Sequence, residues 1–378
     1  MRMVGCGLAG RGPPPLALLG AAAFLTHRWS PARPRLRLAG VGVARGVAAV
    51  RAEGGNAARA VLVRNSNAAE RWIPKDRLLK EHCGAYTTAR TVDRAGVFEL
   101  SMHCTRLHDT ASAILARTPA GEEPAPLPAA ERGNIAASRE QARKFLEAAG
   151  PDGLMPLVRR EIGAGLELLG AGDQATAAGP NEDYQVTLLL TWDTVGPHTP
   201  PDRGFDVFTF VQPLPYVEPM VAVEAHRAER KNPTIKDVQW VSDRQQLEEL
   251  QRRAQVNEVI MFDADGRVTE GLQTNFFAVA ADGTVLTAPD ERVLAGTVRK
   301  VVLEVAHQNG IPVRFECPNI SDLSTWESCF VCSTSRLVKP IRELGSPELS
   351  SRREFPASGS LAHRLEELVQ DAVRKNSE

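Results

Sequence analysis

Two ionisable residues in the second half of the chain stand where they could take part in chemistry. Lys236 lies directly ahead of a predicted helix, and Glu270 lies at the end of a predicted β-hairpin. A lysine amine that is partly removed from water loses its proton readily and can attack a carbonyl carbon to form an imine. A buried carboxylate can hold a proton on a basic nitrogen beside it. Taken alone, the lysine would be a solvated surface charge and the glutamate a hairpin residue, so their context has to decide.

That context is a continuous run around Glu270. Residues 257–277 read NEVIMFDADGRVTEGLQTNFF. The run resembles the signature of the class IV aminotransferases, a family that includes branched-chain aminotransferases, D-amino-acid transaminases and aminodeoxychorismate lyases. The resemblance implies a pyridoxal-phosphate enzyme in which Lys236 forms the Schiff base and moves the proton. It also implies that Glu270 hydrogen-bonds the pyridine nitrogen, so that the ring can accept electron density from the substrate.

A second matching segment is Leu294–Arg299, which resembles the family's turn that opens a helix toward the cofactor phosphate. A helix N-terminus suits an anion because its first N–H groups are free and its dipole is favourable. The resemblance assigns Thr297 and Val298 to this site. The family often has proline at 295 and threonine at 298, so the hydroxyl missing at Val298 would have to come from Thr297.

Three shorter matches complete the predicted site. In Ser333–Arg336, Thr334 matches a phosphate-binding threonine, and Ser335 lies where family members hold the substrate carboxylate by a backbone N–H. In Phe98–Leu107, Arg106 matches the arginine of a His-x-x-Arg-Leu helix start that binds the phosphate, a suitable role for a guanidinium fork. Tyr86 matches an aromatic residue that faces the substrate.

The loop Thr194–His198 corresponds to one that fixes the substrate carboxylate in D-amino-acid transaminases. Those enzymes use an Arg-x-His pair, whereas this loop has His198 without the arginine. His198 remains a candidate substrate-binding residue, and D-amino-acid specificity is weakened.

The predicted reaction is transamination between an amino acid and a 2-oxo acid. The same scaffold in aminodeoxychorismate lyase eliminates pyruvate, and a non-catalytic cofactor-binding dimer is a third possibility. The family resemblance implies a homodimer. No metal ligands are predicted.

Strands and helices are mixed without strict βαβ alternation, and the hairpins imply antiparallel pairing, which predicts an α+β fold. The family resemblance implies a smaller N-terminal α/β sandwich and a larger C-terminal mixed pseudo-barrel, with the cofactor at the interface between them. We place the N-terminal domain at residues 53–225, a linker at 226–232 and the cofactor-binding domain at 233–378. The predicted elements are strands at 85–91, 185–191, 206–212 and 221–224, helices at about 138–148, 154–169, 238–253, 297–308 and 361–374, and a surface loop at 119–134.

Composition sets further limits. The 378 residues carry a net charge of −1, so no global basic field favours nucleic acid or anionic lipid as a partner. Cys329 and Cys332 lie three apart on a predicted strand and therefore point to opposite faces, which predicts buried thiols rather than a disulfide.

The first 52 residues contain eight arginines, no lysine and no acidic residue. This composition is typical of an organelle transit peptide, with a plastid favoured over a mitochondrion. The apolar run Leu16–Leu25 leaves a secretory signal as the alternative. It is too short to span a bilayer, which needs ~20 residues.

Overall fold

The structure is a computed structural model that describes residues 60–94, 96–117, 129–172, 183–193 and 199–375. These residues form two β-sheets with helices packed on them, which confirms the predicted α+β class. The strands are β1 (Val61–Arg64), β2 (Asn67–Ala68), β3 (Gly84–Val92), β4 (Gly96–Val97), β5 (Tyr184–Thr191), β6 (Asp206–Pro213), β7 (Val221–Arg227), β8 (Glu258–Phe262), β9 (Val268–Gly271), β10 (Asn275–Val279), β11 (Val285–Thr287), β12 (Val313–Phe315), β13 (Ser328–Ser333), β14 (Leu337–Ser346) and β15 (Ser351–Glu354). The helices are α1 (Lys75–Glu81), α2 (Leu100–Arg117), α3 (Ala129–Gly172), α4 (Gln239–Asp243), α5 (Gln245–Ala254), α6 (Thr297–Gln308) and α7 (Leu361–Lys375).

The first sheet is antiparallel, with the strand order β2-β1-β6-β5-β3-β4. Its strands are apolar on both faces because both faces are covered. On β5, Leu188 and Leu190 pack against α2 and α3, whereas Leu189 packs in a second cluster with residues of α1 and α4. Tyr86 on β3 belongs to that second cluster, which places it on the face toward Lys236.

The second sheet closes on itself. Six strands follow in the order β10-β13-β14-β7-β8-β9, and β9 pairs back to β10 through Glu270 and Asn275. The strands β11 and β12 extend the sheet beyond β10, and β15 pairs with β14. This ring corresponds to the predicted pseudo-barrel. Glu270 therefore lies at the point where the ring closes.

Several predicted elements need correction. Residues 129–134, predicted as part of a surface loop, begin α3. The predicted helix at about 238–253 is divided into α4 and α5 at Arg244. The two predicted helices at 138–148 and 154–169 lie within α3, which is interrupted where Gly150 adopts φ +60° and Pro151 follows. Proline has no N–H to donate to the preceding turn, so the helix is interrupted there. The interruption lies in the gap between the two predicted helices.

Strand β7 pairs with β8 and β14 in the second sheet. The second sheet therefore includes residues that the predicted boundary at 226 assigned to the N-terminal domain, although the domain limits themselves stay a prediction. The proposed transit peptide at residues 1–52 lies outside the described residues.

The cysteine prediction is confirmed. Cys329 and Cys332 are both buried and free, and burial raises the pKa of the Cys332 thiol to about 12. None of the helices in the described part of the chain combines the length and hydrophobicity that a membrane span requires.

Candidate active site

Lys236 is held against the first sheet by its own backbone. The segment that leads into α4 forms a short antiparallel bridge with the start of β3, in which Tyr86 N donates to Lys236 O at 3.1 Å and Val238 N donates to Gly84 O at 3.2 Å. Lys236 N in turn donates to Thr110 Oγ1 on α2 at 3.2 Å. These contacts fix the backbone of Lys236 beside the start of β3 and beside α2.

The Lys236 side chain lies among cations. Its Nζ is 4.8 Å from the centre of the Tyr86 ring. Burial lowers the pKa of Lys236 well below its ordinary value, and the charges of Arg106, Arg230 and Arg244 lower it further, against a smaller opposing effect of Glu270. An amine in this environment is available as a nucleophile and as a proton acceptor.

Glu270 is buried at 3% exposure and has two partners. Its Oε2 accepts from Leu294 N at 3.0 Å, and its Oε1 accepts from Arg230 Nη1 at 3.3 Å. Burial raises the pKa of Glu270, while Arg230 and the Leu294 N–H oppose the rise. A carboxylate so placed can share a proton with a basic nitrogen brought beside it.

Arg106 is held in place by its neighbours on α2 and β3. Its Nη2 donates to Thr87 Oγ1 at 2.6 Å and approaches His103 Nδ1 at 2.9 Å. Burial lowers the pKa of Arg106 to about 10, and burial together with Arg106 holds the pKa of His103 well below its ordinary value, so the imidazole is neutral. Arg106 Nε is buried with no hydrogen-bond partner among the described residues, so the guanidinium has donors to spare.

The predicted phosphate-binding residues on α6 and after β13 are brought together. Thr297 Oγ1 and Thr334 Oγ1 lie 2.8 Å apart. The Val298 side chain is packed in the hydrophobic core, so this residue can contribute only its backbone N–H. The first N–H groups of a helix have no partner within the helix and point outward from its start. Thr297, the first residue of α6, thus supplies the hydroxyl that Val298 lacks.

Gly296 shows why the turn before α6 is tightly built. A Cβ atom at this position would lie 2.1 Å from Asn275 Oδ1, so only glycine fits. Asn275 Nδ2 donates to Leu294 O at 2.9 Å on the same turn. The turn is therefore fixed to the strand that pairs with Glu270.

An ion pair brings the starts of α2 and α6 together. Lys300, in the first turn of α6, lies 3.0 Å from the carboxylate of Glu99, which directly precedes α2. Arg106 on α2 and Thr297 on α6 thus belong to neighbouring helices.

The remaining predicted residues are placed less fully. Ser335 lies in the turn after β13, where its Oγ is 3.4 Å from Ser333 Oγ. His198 lies outside the described residues, so its predicted role stays a prediction.

The sequence analysis missed two arginines beside Lys236. Arg230 pairs with Glu270 and lies over the Trp240 ring at 5.1 Å. Arg244 is 8% exposed and donates to Glu248 Oε1 at 2.8 Å; burial lowers its pKa, but Tyr86 and Glu248 raise it above its ordinary value. Arg230 stands in the basic segment that the sequence analysis took for a linker. Arg244 lies inside the segment predicted as one continuous helix, so no feature of the sequence singled it out.

The residues present fit pyridoxal phosphate. The site offers an amine of lowered pKa at Lys236, a buried carboxylate at Glu270, and a guanidinium with an unpartnered donor at Arg106. The paired hydroxyls of Thr297 and Thr334 and the start of α6 add donors suited to a phosphate group.

Comparisons with known proteins agree with this geometry. Residues 167–344 match the family model described as amino-transferase class IV. A D-alanine aminotransferase of Listeria monocytogenes is 30% identical over 106 residues, which are 28% of this chain and 36% of the relative. A probable branched-chain-amino-acid aminotransferase of Thermotoga maritima is 28% identical over 112 residues, 30% of this chain and 41% of the relative. The matches thus span half or less of the length of these curated relatives.

Solved structures share the fold over nearly their whole length. The branched-chain amino acid aminotransferase of Escherichia coli superposes with a TM-score of 0.55 at 19% identity, covering 84% of this chain and 95% of that one. An aminotransferase from Brucella abortus bound to pyridoxal phosphate gives 0.55 at 18% identity, covering 83% and 99%. These likenesses show that the chain shares the fold of these aminotransferases, and the segment 167–344 in addition matches the class IV aminotransferase family model.

Proposed function

We propose that this protein is a pyridoxal-phosphate-dependent aminotransferase that moves an amino group between an amino acid and a 2-oxo acid. The observation that carries the proposal is the environment of Lys236, an amine of lowered pKa that lies over the Tyr86 ring and feels the charge of the buried Glu270, in a site with several donors suited to a phosphate. The family match and the shared fold support the same activity.

Each residue has a distinct part in this proposal. When bound, the cofactor supplies an electron-accepting ring and a carbonyl group that reacts with amines. Lys236 Nζ holds the cofactor and, once released, takes up and returns a proton. Glu270 keeps a proton on the ring nitrogen, while Arg106, Thr297 and Thr334 bind the phosphate.

Reduction with borohydride tests the assignment of Lys236. The purified protein should be yellow, and reduction should fix the cofactor to Lys236, with the modified residue located by fragmentation of the peptide. Lys231, five residues earlier and exposed, provides a matched control. Lys231→Ala should keep the adduct and Lys236→Ala should lose it. An adduct on Lys231, or a protein that binds no cofactor, would contradict the proposal.

The reaction type needs its own test. We propose that amino donors convert 2-oxoglutarate to glutamate with matching loss of the donor. Release of pyruvate from aminodeoxychorismate, with no transfer from any amino acid, would instead identify a lyase. We also propose that Tyr86 and the backbone of Ser335 bind the substrate, with His198 contributing from its loop.

We propose further that the protein is a homodimer, which the family fold supports, and light scattering of the purified protein should give twice the chain mass. The arginine-rich, acid-free composition of residues 1–52 supports import into a plastid. A fluorescent protein fused behind these residues should enter plastids. Mitochondrial or secreted fluorescence would refute that localisation.

A further inference from the structure

A partly buried ion pair joins the start of β8 to the turn after β13. Arg336 Nη1 donates to Glu258 Oε2 at 2.8 Å, and the Glu258 side chain is only 1% exposed. Arg336 directly follows Thr334 and Ser335, the residues proposed to bind the phosphate and the substrate. Neither Arg336 nor Glu258 is proposed to touch the cofactor.

The arginine side of the pair anchors the turn after β13. Arg336 N donates to Ser333 O at 3.2 Å within the turn, and Arg336 Nη1 also donates to Asn257 O at 3.3 Å. The next residue, Leu337, has a φ of +55°, a backbone conformation that is unfavourable for residues with a Cβ atom. A turn with such a residue persists only when its surroundings hold it. The Arg336 guanidinium contributes to that hold through its contacts with Asn257 O and Glu258 Oε2.

The glutamate side of the pair packs against the end of β9, the strand that carries Glu270. A Cβ atom added at Gly271 would lie 3.2 Å from Glu258 Cδ and 2.3 Å from Thr274 Oγ1. Glu258 Oε1 accepts from Val259 N at 3.1 Å, which fixes the carboxylate at the start of β8. Gly271 directly follows Glu270, and Arg336 directly follows Ser335. The Glu258 carboxyl group therefore contacts both the strand end next to Glu270 and the turn next to Thr334 and Ser335.

We propose that Arg336 and Glu258 are positioning residues that set the placement of the Thr334 turn relative to the end of β9, which carries Glu270. The inference rests on the proposed use of pyridoxal phosphate. If the protein uses this cofactor, the pair sets the affinity for the cofactor phosphate in addition to any contribution to the stability of the protein. The phosphate-free analogue pyridoxal should be affected less because it does not depend on the Thr334 turn.

The test compares Arg336→Met, Glu258→Gln and the double variant by affinity for pyridoxal phosphate, affinity for pyridoxal, and thermal midpoint of the apoprotein. Arg336→Met leaves a charged carboxylate buried and unpaired, so its thermal midpoint should fall. The double variant removes that charge, and its midpoint should return toward the parent value. Its affinity for pyridoxal phosphate should nevertheless stay about tenfold weaker, because the turn has lost its anchor, while the affinity for pyridoxal stays within about twofold.

The control is Lys339→Met, which breaks the 2.8 Å ion pair between Lys339 on β14 and Glu366 on α7. This variant should lose some stability and keep the parent affinity for pyridoxal phosphate. A double variant with parent affinity would reduce the Arg336–Glu258 pair to a stabilising contact and overturn the proposal. Equal losses for pyridoxal and pyridoxal phosphate would also overturn it. Failure of the parent itself to bind pyridoxal phosphate would instead refute the proposed function.

Discussion

The pair between Arg230 and Glu270 allows a quantitative prediction for Arg230→Met. The two groups approach to 3.3 Å, and their side chains are 7% and 4% exposed. At an effective dielectric constant of about 20, their attraction is about 5 kcal/mol. Removing one partner of a buried pair destabilises a protein by about 3–5 kcal/mol, because the other charge is left without compensation. Since Leu294 N–H still donates to Glu270 in the variant, we expect a destabilisation at the lower end of this range, about 3 kcal/mol, for the apoprotein.

The cofactor should change this result. If its ring nitrogen lies beside Glu270, the carboxylate gains a new partner and the Arg230→Met variant loses less stability in the holoenzyme. Urea unfolding of the apoprotein and of the borohydride-reduced holoenzyme measures the two losses. Arg252→Met is the control, since Arg252 is 72% exposed in its pair with Glu249 and should shift stability by no more than about 0.5 kcal/mol. A loss below about 1 kcal/mol in the apoprotein would refute the analysis of the pair. Equal losses of stability in the apoprotein and the holoenzyme would contradict the placement of the ring nitrogen beside Glu270.

Three further predictions concern the residues proposed to act directly. Lys236→Met should raise the free energy of unfolding of the apoprotein at neutral pH. The pKa of Lys236 is depressed in the folded state, so the unfolded chain binds more protons. The stability of the parent should therefore rise relative to that of the variant as the pH rises toward the unfolded pKa of about 10.4. An unchanged difference in unfolding free energy between pH 7 and pH 10 would contradict this. Arg106→Ala should weaken cofactor binding by about 1.5–3 kcal/mol, measured by equilibrium titration, and an unchanged affinity would remove Arg106 from the phosphate site. Glu270→Gln should still bind the cofactor but lose single-turnover conversion with excess amino acid, and near-parental rates would make Glu270 a structural residue.

The sequence predicted those parts of the fold that local pattern determines. Continuous apolar runs located β5 and β6, helical spacing located α6, and Gly150-Pro151 separated the two parts of α3. The short hairpin β1–β2 escaped because its two-residue second strand carries no alternation to detect. The closure of the second sheet also escaped residue-level prediction, because the pairing of Glu270 with Asn275 depends on the whole ring of strands.

The candidate site divides in the same way. Glu270, Thr297 and Thr334 stand in segments that resemble family motifs, so the sequence identified them directly, and Lys236 followed from the resemblance around Glu270. Arg230 stands in no such segment. Its contact with Glu270 joins residues 40 apart, and in sequence it is one cation in the basic run before the lysine.

The cations around Lys236 explain why its charge and cofactor binding should depend on each other. Arg106, Arg230 and Arg244 all lower the pKa of Lys236, and among the described residues Glu270 is the acidic group that raises it. Arg230 pairs with Glu270 and Arg244 with the partly exposed Glu248, whereas the partners of Arg106 among the described residues, Thr87 and His103, are neutral. A phosphate dianion beside Arg106 would offset the charge that most strongly opposes protonation of Lys236 after burial itself. Phosphate binding should therefore raise the proton affinity of the lysine, so the group that anchors the cofactor also makes Lys236 a better proton acceptor when it is released.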